Sequence, residues 1–233
     1  MGVHPTAIVE DGAVLGADVE IGPYAVVRAG TVLGDGVTVG EHAVLGKRPK
    51  LGPRSTAAAG ELGPLEVGAG ATISTHAVVY AGTAIGEGAI IGDQAFVRER
   101  CRVGAGTVIG RGVTVENDTE IGAGCRVQSQ SYITAKSVLE DDVFIAPCVV
   151  TTNDNLMGRT ERRHALTKGA TIRRGARIGG AVVLCPGVEV GEEAFIGAGA
   201  VVTRDVPAGT VLVGVPARVL RDVPDDELRA NGG

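Results

Sequence analysis

The stretch from Val67 to Val150 reads VGAGATISTHAVVYAGTAIGEGAIIGDQAFVRERCRVGAGTVIGRGVTVENDTEIGAGCRVQSQSYITAKSVLEDDVFIAPCVV. An aliphatic residue returns every six positions without a failure, from Val67, Ile73 and Val79 to Val127, Ile133, Leu139 and Ile145. Two residues before each later member stands a small or β-branched residue, such as Ala71, Ala77, Thr83, Ala95, Cys101, Thr119 and Ser137. In extended chain, residues two apart point to the same side. Each hexad therefore reads as a short strand with two inward side chains and a turn. An α-helix would need apolar spacings of three and four, which are absent. A six-residue period sustained this long is the signature of a parallel β-helix. Glycine often follows the aliphatic residue (Gly68, Gly86, Gly92, Gly104, Gly110, Gly122), where a corner is expected to need a positive φ.

The same period runs outward on both sides. Val3, Val9, Leu15, Ile21, Val27, Leu33, Val39, Leu45 and Leu51 lie six apart. Between Leu51 and Val67 the phase breaks, and KRPKLGPRSTAAAGELGPLE reads as an excursion carrying Lys47, Arg48, Lys50 and Arg54. A second break follows Ile145. Here TTNDNLMGRTERRHALTKG carries Arg159, Arg162, Arg163, His164 and Lys168 before the period resumes at Ile172 and runs to Val202. The expected domain is a β-helix over residues 1–220, with loops at about 47–66 and 151–170. A short helical tail over 221–233 follows, with Pro224 early and acids in its first turn. Three hexads make one triangular coil, giving about eighteen residues per turn and roughly nine coils.

Composition fits a narrow coil. Aromatic residues are 3% of the 233, tryptophan is absent and glycine contributes 37 residues. The net charge of −5 and pI near 5.4 give no footprint for nucleic acid. The opening MGVHPTAIVEDGA has no basic and apolar leader pattern, and no apolar run approaches a membrane span. Cys101, Cys125, Cys148 and Cys185 have no metal-ligand spacing and read as free thiols of a reducing, cytoplasmic compartment.

Nearly the whole chain resembles the left-handed parallel β-helix, hexapeptide-repeat acyltransferases. HPTAIVEDGAVLGADVEIGPYAVV resembles the opening of the lipid A-type sugar acyltransferases. EDDVFIAPCVVTTNDN, with KGATIRRGARIGGAVVLCPGVEVGEEAFIGAGAVVTRDVPAGTVLVGVPAR, is similar to the nucleotide-linked amino-sugar N-acetyltransferases. The left hand comes from this resemblance, since the usual crossover rule favours the right. The resemblance implies a homotrimer that binds acetyl-CoA between subunits near the C-terminal coils and acetylates the amine of a nucleotide-linked amino sugar.

An eighteen-residue coil places outward residues in files. One reads Glu99, Asn117, Ala135, Asn153; its neighbour reads Tyr80, Arg98, Glu116, Thr134, Thr152; a third reads His76, Gln94, Gly112, Gln130, Cys148. Glycine is also missing after four successive aliphatic residues, at Gln128, Thr134, Glu140 and Ala146. Amine acylation needs a proton acceptor and a donor for the developing oxyanion. Glu99 is the candidate base, at the place in FVRERCRVG where the lipid A-type resemblance puts a histidine. The alternatives are an ion-pair role beside Arg98 and Arg100, or a substrate that passes its own proton to the leaving thiolate. Asn117, one coil away, is the candidate to reach Glu99 or a bound carbonyl; its other reading is a turn asparagine.

His76, Gln128 and Gln130 are candidate substrate contacts, with an incidental corner histidine and an exposed polar strand as the plainer readings. Arg162 and Arg163 suit a pyrophosphate, and the resemblance implies sugar contacts for Asn153 and Asp154. For CoA it implies backbone groups around Gly180 and Ala198, with Thr203, Arg204 and Arg218 at the cofactor's end. Arg173 and Arg174 could reach phosphate.

No metal is expected. A zinc carbonic anhydrase on this fold needs three converging histidines, and His4, His42, His76 and His164 are scattered. An acyl-ACP-dependent lipid A-type enzyme would carry a larger helical domain after Leu220 and keep its histidine. A non-catalytic binding solenoid would have little use for two basic interruptions.

Overall fold

The computed structural model describes residues 2–53, 55 and 57–228. It is a left-handed parallel β-helix of triangular section, with three sheets forming the faces. The first face starts at Ile8–Val9, the second at Val14–Leu15 and the third at Glu20–Ile21. They hold ten, nine and eleven strands. Roughly nine coils were expected; partial coils at both ends and a closing hairpin add the difference. That hairpin pairs Thr210–Val213 with Arg218–Asp222 in the one antiparallel contact among the described strands. The other pairings are parallel, mostly with the third strand on and in the eighteen-residue register of Val79 with Val97 or Ile91 with Ile109; pairs that span an excursion are offset by 33 or 34 residues, and Phe195–Ile196 pairs with Val211 and Leu212.

The inward series fills the prism. Ile73, Ile91, Ile109, Ile133, Leu139, Ile145, Ile172 and Ile178 are fully buried, as are the small partners Ala71, Ala89 and Ala95. Leu51 leaves the phase and belongs to no strand; Leu65 takes up the inward role after the excursion. Where the small position is polar, its side chain repairs a corner. Thr83 donates to the Arg98 carbonyl at 2.6 Å, Thr107 to that of Gly122 at 2.7 Å and the Cys101 thiol to that of Glu116 at 3.1 Å. These bonds satisfy backbone acceptors that the strand ladder leaves open.

The glycines after the aliphatic positions do not have positive φ. The left-handed residues come two places later, at Gly70, Gly88, Gly106 and Gly124, and also at Gln94, Arg100, Asp118, Gln130 and Lys136. Gly86 is needed for a different reason: a Cβ there would stand 2.5 Å from the Ala105 nitrogen of the next coil.

The expected helical tail is a single 3-10 turn, Asp225–Glu227, and its start at residue 221 falls inside the closing strand. Glu227 is tied to Arg177 at 2.9 Å. Residues 229–233 of the expected tail, and Arg54 of the first excursion, lie outside the described residues. No described helix is long and apolar enough to cross a membrane.

Candidate functional site

Both excursions leave the same edge of the prism, where the first face turns into the second. The first runs from Val44–Lys47 to Leu65–Val67, the second from Val150–Thr151 to Thr171–Ile172. Five coil steps separate them, roughly 24 Å at ~4.8 Å per step. Four turns lie between, and they carry the charged residues Arg98, Glu99, Arg100, Glu116, Asp118 and Lys136, with Asn117 among them.

The first excursion folds back over this edge. Lys47 and Pro64 carbonyls accept from Ala81 and Gly82 at 2.9 and 3.0 Å, and Leu62 sits against Gly82. The file expected to point outward is therefore covered. Glu99 is fully buried, with Asn117 and Ala135 at 5% and 9% exposure. Both Glu99 oxygens are taken by Arg98, at 3.0 Å from Nε and 2.8 Å from Nη2, and Arg100 stands 3.9 Å away. Arg98 also reaches Glu116 at 2.9 Å. Asn117 does not reach Glu99: its amide donates to Asp118 at 2.5 Å. Asp118 is further gripped by Arg100 at 2.6 and 3.1 Å. Burial pushes the Asp118 carboxyl up, but the Arg100 and Asn117 hydrogen bonds outweigh it and hold it below the usual carboxylate range.

Burial raises the Cys101 thiol to about 12 and the Cys125 thiol to about 11, so both stay protonated in the folded protein at neutral pH. Burial also raises the Tyr132 phenol, with the neighbouring Glu116 adding to it. Sequence reasoning placed Glu116 in a file but gave it no role, and it missed Asp118 and Tyr132; the eighteen-residue register of Phe96–Thr114–Tyr132 was the available signal.

The second excursion closes on itself. Asn153 donates to the Ala135 carbonyl at 3.2 Å. The Asp154 carboxylate accepts from the Leu156 and Gly158 backbone, both at 2.8 Å, which lowers its pKa and spends it on the turn. Arg162 is exposed at the start of a one-turn helix, Arg163–Leu166, while Arg163 is half-buried.

The remaining candidates fall on other edges. His76, Gln128, Gln130, Gly180 and Ala198 share the edge between the third and first faces. His76 stacks on His42 at 4.9 Å, and His42 on Tyr24 at 5.1 Å. Gln130 lies beneath Gly112, and the Gly180 carbonyl accepts from Gly199 at 2.8 Å. Arg173 and Arg174 lie on the edge between the second and third faces and already have partners. Glu189 and Glu140 hold Arg173 at 2.9 and 2.7 Å, raising its pKa, and Asp141 holds Arg174 at 3.4 Å. Thr203, Arg204 and Arg218 come together around a small cavity of about 150 Å³ beside the closing hairpin.

The outward positions of the first face separate the two edges that hold most candidates. They carry no charge among the strands described: Ile8, Val78, Phe96, Tyr132, Val150 and Val201 are typical. The second face exposes Glu66, Arg102, Glu120 and Glu189 at the same positions, and the third exposes Glu20, Arg126 and Arg177.

The sequence model of the family described as bacterial transferase hexapeptide (six repeats) matches residues 3–47, 100–135 and 169–204, half of the chain. Galactoside O-acetyltransferase of Escherichia coli is 47% identical over 55 residues, covering 24% of this chain and 27% of that protein. The 2,3,4,5-tetrahydropyridine-2,6-dicarboxylate N-acetyltransferase of Staphylococcus aureus is 50% identical over 48 residues, 21% of this chain and 20% of that protein. The chain thus spans only a fifth to a quarter of these two relatives. Among solved structures, the UDP-N-acetylglucosamine acyltransferase of Campylobacter jejuni superposes with a TM-score of 0.51 at 18% identity, covering 94% of this chain and 73% of that one. That likeness is one of fold.

Proposed function

Because the chain belongs to the bacterial transferase hexapeptide family, we propose that it transfers an acetyl group from acetyl-CoA to the amine of a nucleotide-linked amino sugar. The observation that carries this reading is the placement of both basic excursions on one edge, on either side of a charged patch. Relatives named as an O-acetyltransferase of galactosides and an N-acetyltransferase support acetyl transfer to a small hydroxyl or amine acceptor. Arg162 of the second excursion supplies an exposed cation for the pyrophosphate. Gly180, Ala198, Thr203, Arg204 and Arg218 form the proposed CoA end.

The acting species is proposed to be a homotrimer in the cytoplasm. An uncharged outward column along the whole first face supports burial against a second copy. That packing would bring the histidine-bearing edge of one copy toward the charged edge of the next, joining candidates that one chain keeps apart. Val150→Asp is then expected to convert a trimer to monomer by sedimentation; an unaltered mass would remove the first face as the interface.

In the reaction, the neutral amine attacks the thioester carbonyl, the C–N bond forms, the C–S bond breaks and the amine proton goes to the departing thiolate. Glu99 offers no free oxygen while Arg98 holds both. This favours the route in which the substrate delivers that proton over Glu99 as base, with Asn117 keeping Asp118 and the edge in place. The test is thiol release from acetyl-CoA against UDP- and dTDP-linked 3-amino and 4-amino sugars, with hydroxyl sugars as controls. Turnover confined to an amino sugar supports the reading. Turnover only with hydroxyl sugars, or none while CoA binds, overturns the acceptor assignment.

A further inference from the structure

Between the first excursion and the first face lies a cavity of about 370 Å³, lined by Lys50, Ser55, Tyr80, Phe96, Arg98 and Glu116 among others. Its charged lining residues are Lys50, Arg98 and Glu116, and Lys47 lies over the Tyr80 ring at 5.4 Å. In the edge beside it, two arginines (Arg98, Arg100) face three carboxylates (Glu99, Glu116, Asp118). Glu99 has both oxygens on Arg98, and Asp118 has both on Arg100. Lys136 acts on Asp118, at the far side of the edge from the cavity. Glu116 receives a single arginine contact, on Oε2, together with the neighbouring Tyr132 hydroxyl. Its side chain keeps 20% of its surface open. Of the three carboxylates, Glu116 is thus the one that arginine does not hold at both oxygens, and it stands on the cavity wall.

The other walls define the ligand further. Tyr80 and Phe96 meet edge to face at 5.3 Å and give an apolar flank. Lys50, on the excursion, is exposed and stands more than 4 Å from any carboxylate among the described residues. A carboxylate, an aromatic flank and a free ammonium in one cavity suit a small molecule with an amine and a separate anionic group. We propose that this cavity binds the amine-bearing part of the acceptor, with Glu116 accepting a hydrogen bond from its amine and Lys50 meeting an anionic group of the same molecule. This deepens the acceptor reading above and rests on it for the nucleotide, though not for the amine.

Two experiments separate the two ideas. In the first, crystals of the full chain are soaked in glucosamine. Its nitrogen is expected within hydrogen-bond reach of the Glu116 carboxylate; ring density elsewhere, or none, overturns the cavity as an amine site whatever the nucleotide. In the second, calorimetry compares UDP-glucose with its 3-amino and 4-amino analogues. The wild type is expected to bind an amino analogue roughly tenfold to a hundredfold more tightly than the hydroxyl parent, the range of a charged hydrogen bond. Glu116→Gln keeps the shape and is expected to bring that ratio to about one without altering the parent's affinity. Lys50→Ala is expected to weaken parent and amine analogue by the same factor. A ratio that survives Glu116→Gln overturns the role of Glu116. Glucosamine at Glu116 with no UDP-sugar binding would keep the amine site and remove the nucleotide.

Discussion

Two edges of this prism are built from the same hexad and have diverged. Where the second face turns into the third, the residue after the aliphatic position is glycine in seven coils, Gly16, Gly34, Gly68, Gly86, Gly104, Gly122 and Gly191, and charged in two, Glu140 and Arg173. Where the first face turns into the second, regular turns carry Glu10, Arg28, Tyr80, Arg98, Glu116, Thr134, Cys185 and Thr203 there instead. On the glycine edge successive coils press backbone to backbone, and a Cβ has no room. On the charged edge the coils admit long side chains, which pair with each other and support the first excursion. The lesson is that glycine on this fold marks an edge closed against itself. Its absence marks an edge given over to side chains.

The hardest test of that contrast removes the cation on which the charged edge turns. Arg98→Met leaves the buried Glu99 with Arg100 alone, at 3.9 Å and without a hydrogen bond to either oxygen, and breaking a buried pair in this way costs about 3–5 kcal/mol. The double variant Arg98→Met with Glu99→Leu is expected to recover most of the loss, because no buried charge remains. Chemical denaturation of the three proteins decides it. A single variant as stable as wild type would mean that water reaches Glu99 and that the first excursion is no cover.

On the opposite edge, Gly86→Ala adds one methyl group whose carbon would stand 2.5 Å from the Ala105 nitrogen. The neighbour is backbone in a paired coil and cannot turn aside, so the expected cost is about 1–3 kcal/mol. Thr134→Ala, at the equivalent position of the charged edge, adds no bulk and is expected to cost less than half as much. Equal costs would erase the distinction between the edges.

Acid should reach the charged edge selectively. The folded pKa of Asp118 is held below its ordinary value, so its contribution to stability is present above about pH 4 and is lost as pH falls through the folded value. The group is a third exposed, and solvent screening limits the effect to about 0.2–1 kcal/mol. Asp118→Asn is expected to lower the thermal midpoint at pH 7, with its curve converging on that of the wild type as the pH falls below the ordinary carboxylate range. Parallel curves would show that Asp118 titrates as it does in the unfolded chain.

Much of this was legible in the sequence. The inward series needs only a period of six, and Ile73 through Ile145 fall where that period puts them. The glycines were legible as corners but not for their reason: a positive φ is a property of one residue, whereas the Gly86 contact belongs to two coils nineteen residues apart. The burial of Glu99 was not legible. Arg98 and Arg100 enclose Glu99, and Arg100 meets the first excursion at the Ala58 carbonyl; that excursion has no phase, so nothing in the repeat says which edge it will lie on. The common edge of the two excursions was within reach of arithmetic, since each interrupts the chain at the same corner of its coil.

The finest distinction lies at the left-handed position of each corner. In the middle coils the glycine edge has Gly70, Gly88, Gly106 and Gly124 there and the charged edge has Arg100, Asp118 and Lys136, at φ values of 57°, 58° and 64°, while toward the ends the glycine edge has Asp18, Asp142 and Glu193 and the charged edge Gly12, Gly30 and Gly82. A side chain in this region costs about 1–2 kcal/mol against glycine. Glycine in turn gives the unfolded chain more freedom, worth about 0.4–1 kcal/mol. For Lys136→Gly the two effects nearly offset, and the expected change in stability is within about 0.5–1 kcal/mol, toward greater stability. Arg100→Gly relieves the same backbone strain but removes the grip on Asp118, so it is expected to destabilise. Denaturant midpoints measured side by side give opposite signs if the charged edge keeps its left-handed arginine for the ion pair. If both variants gain stability, the pair contributes nothing, and Arg100 is retained at that corner for some purpose other than holding the edge together.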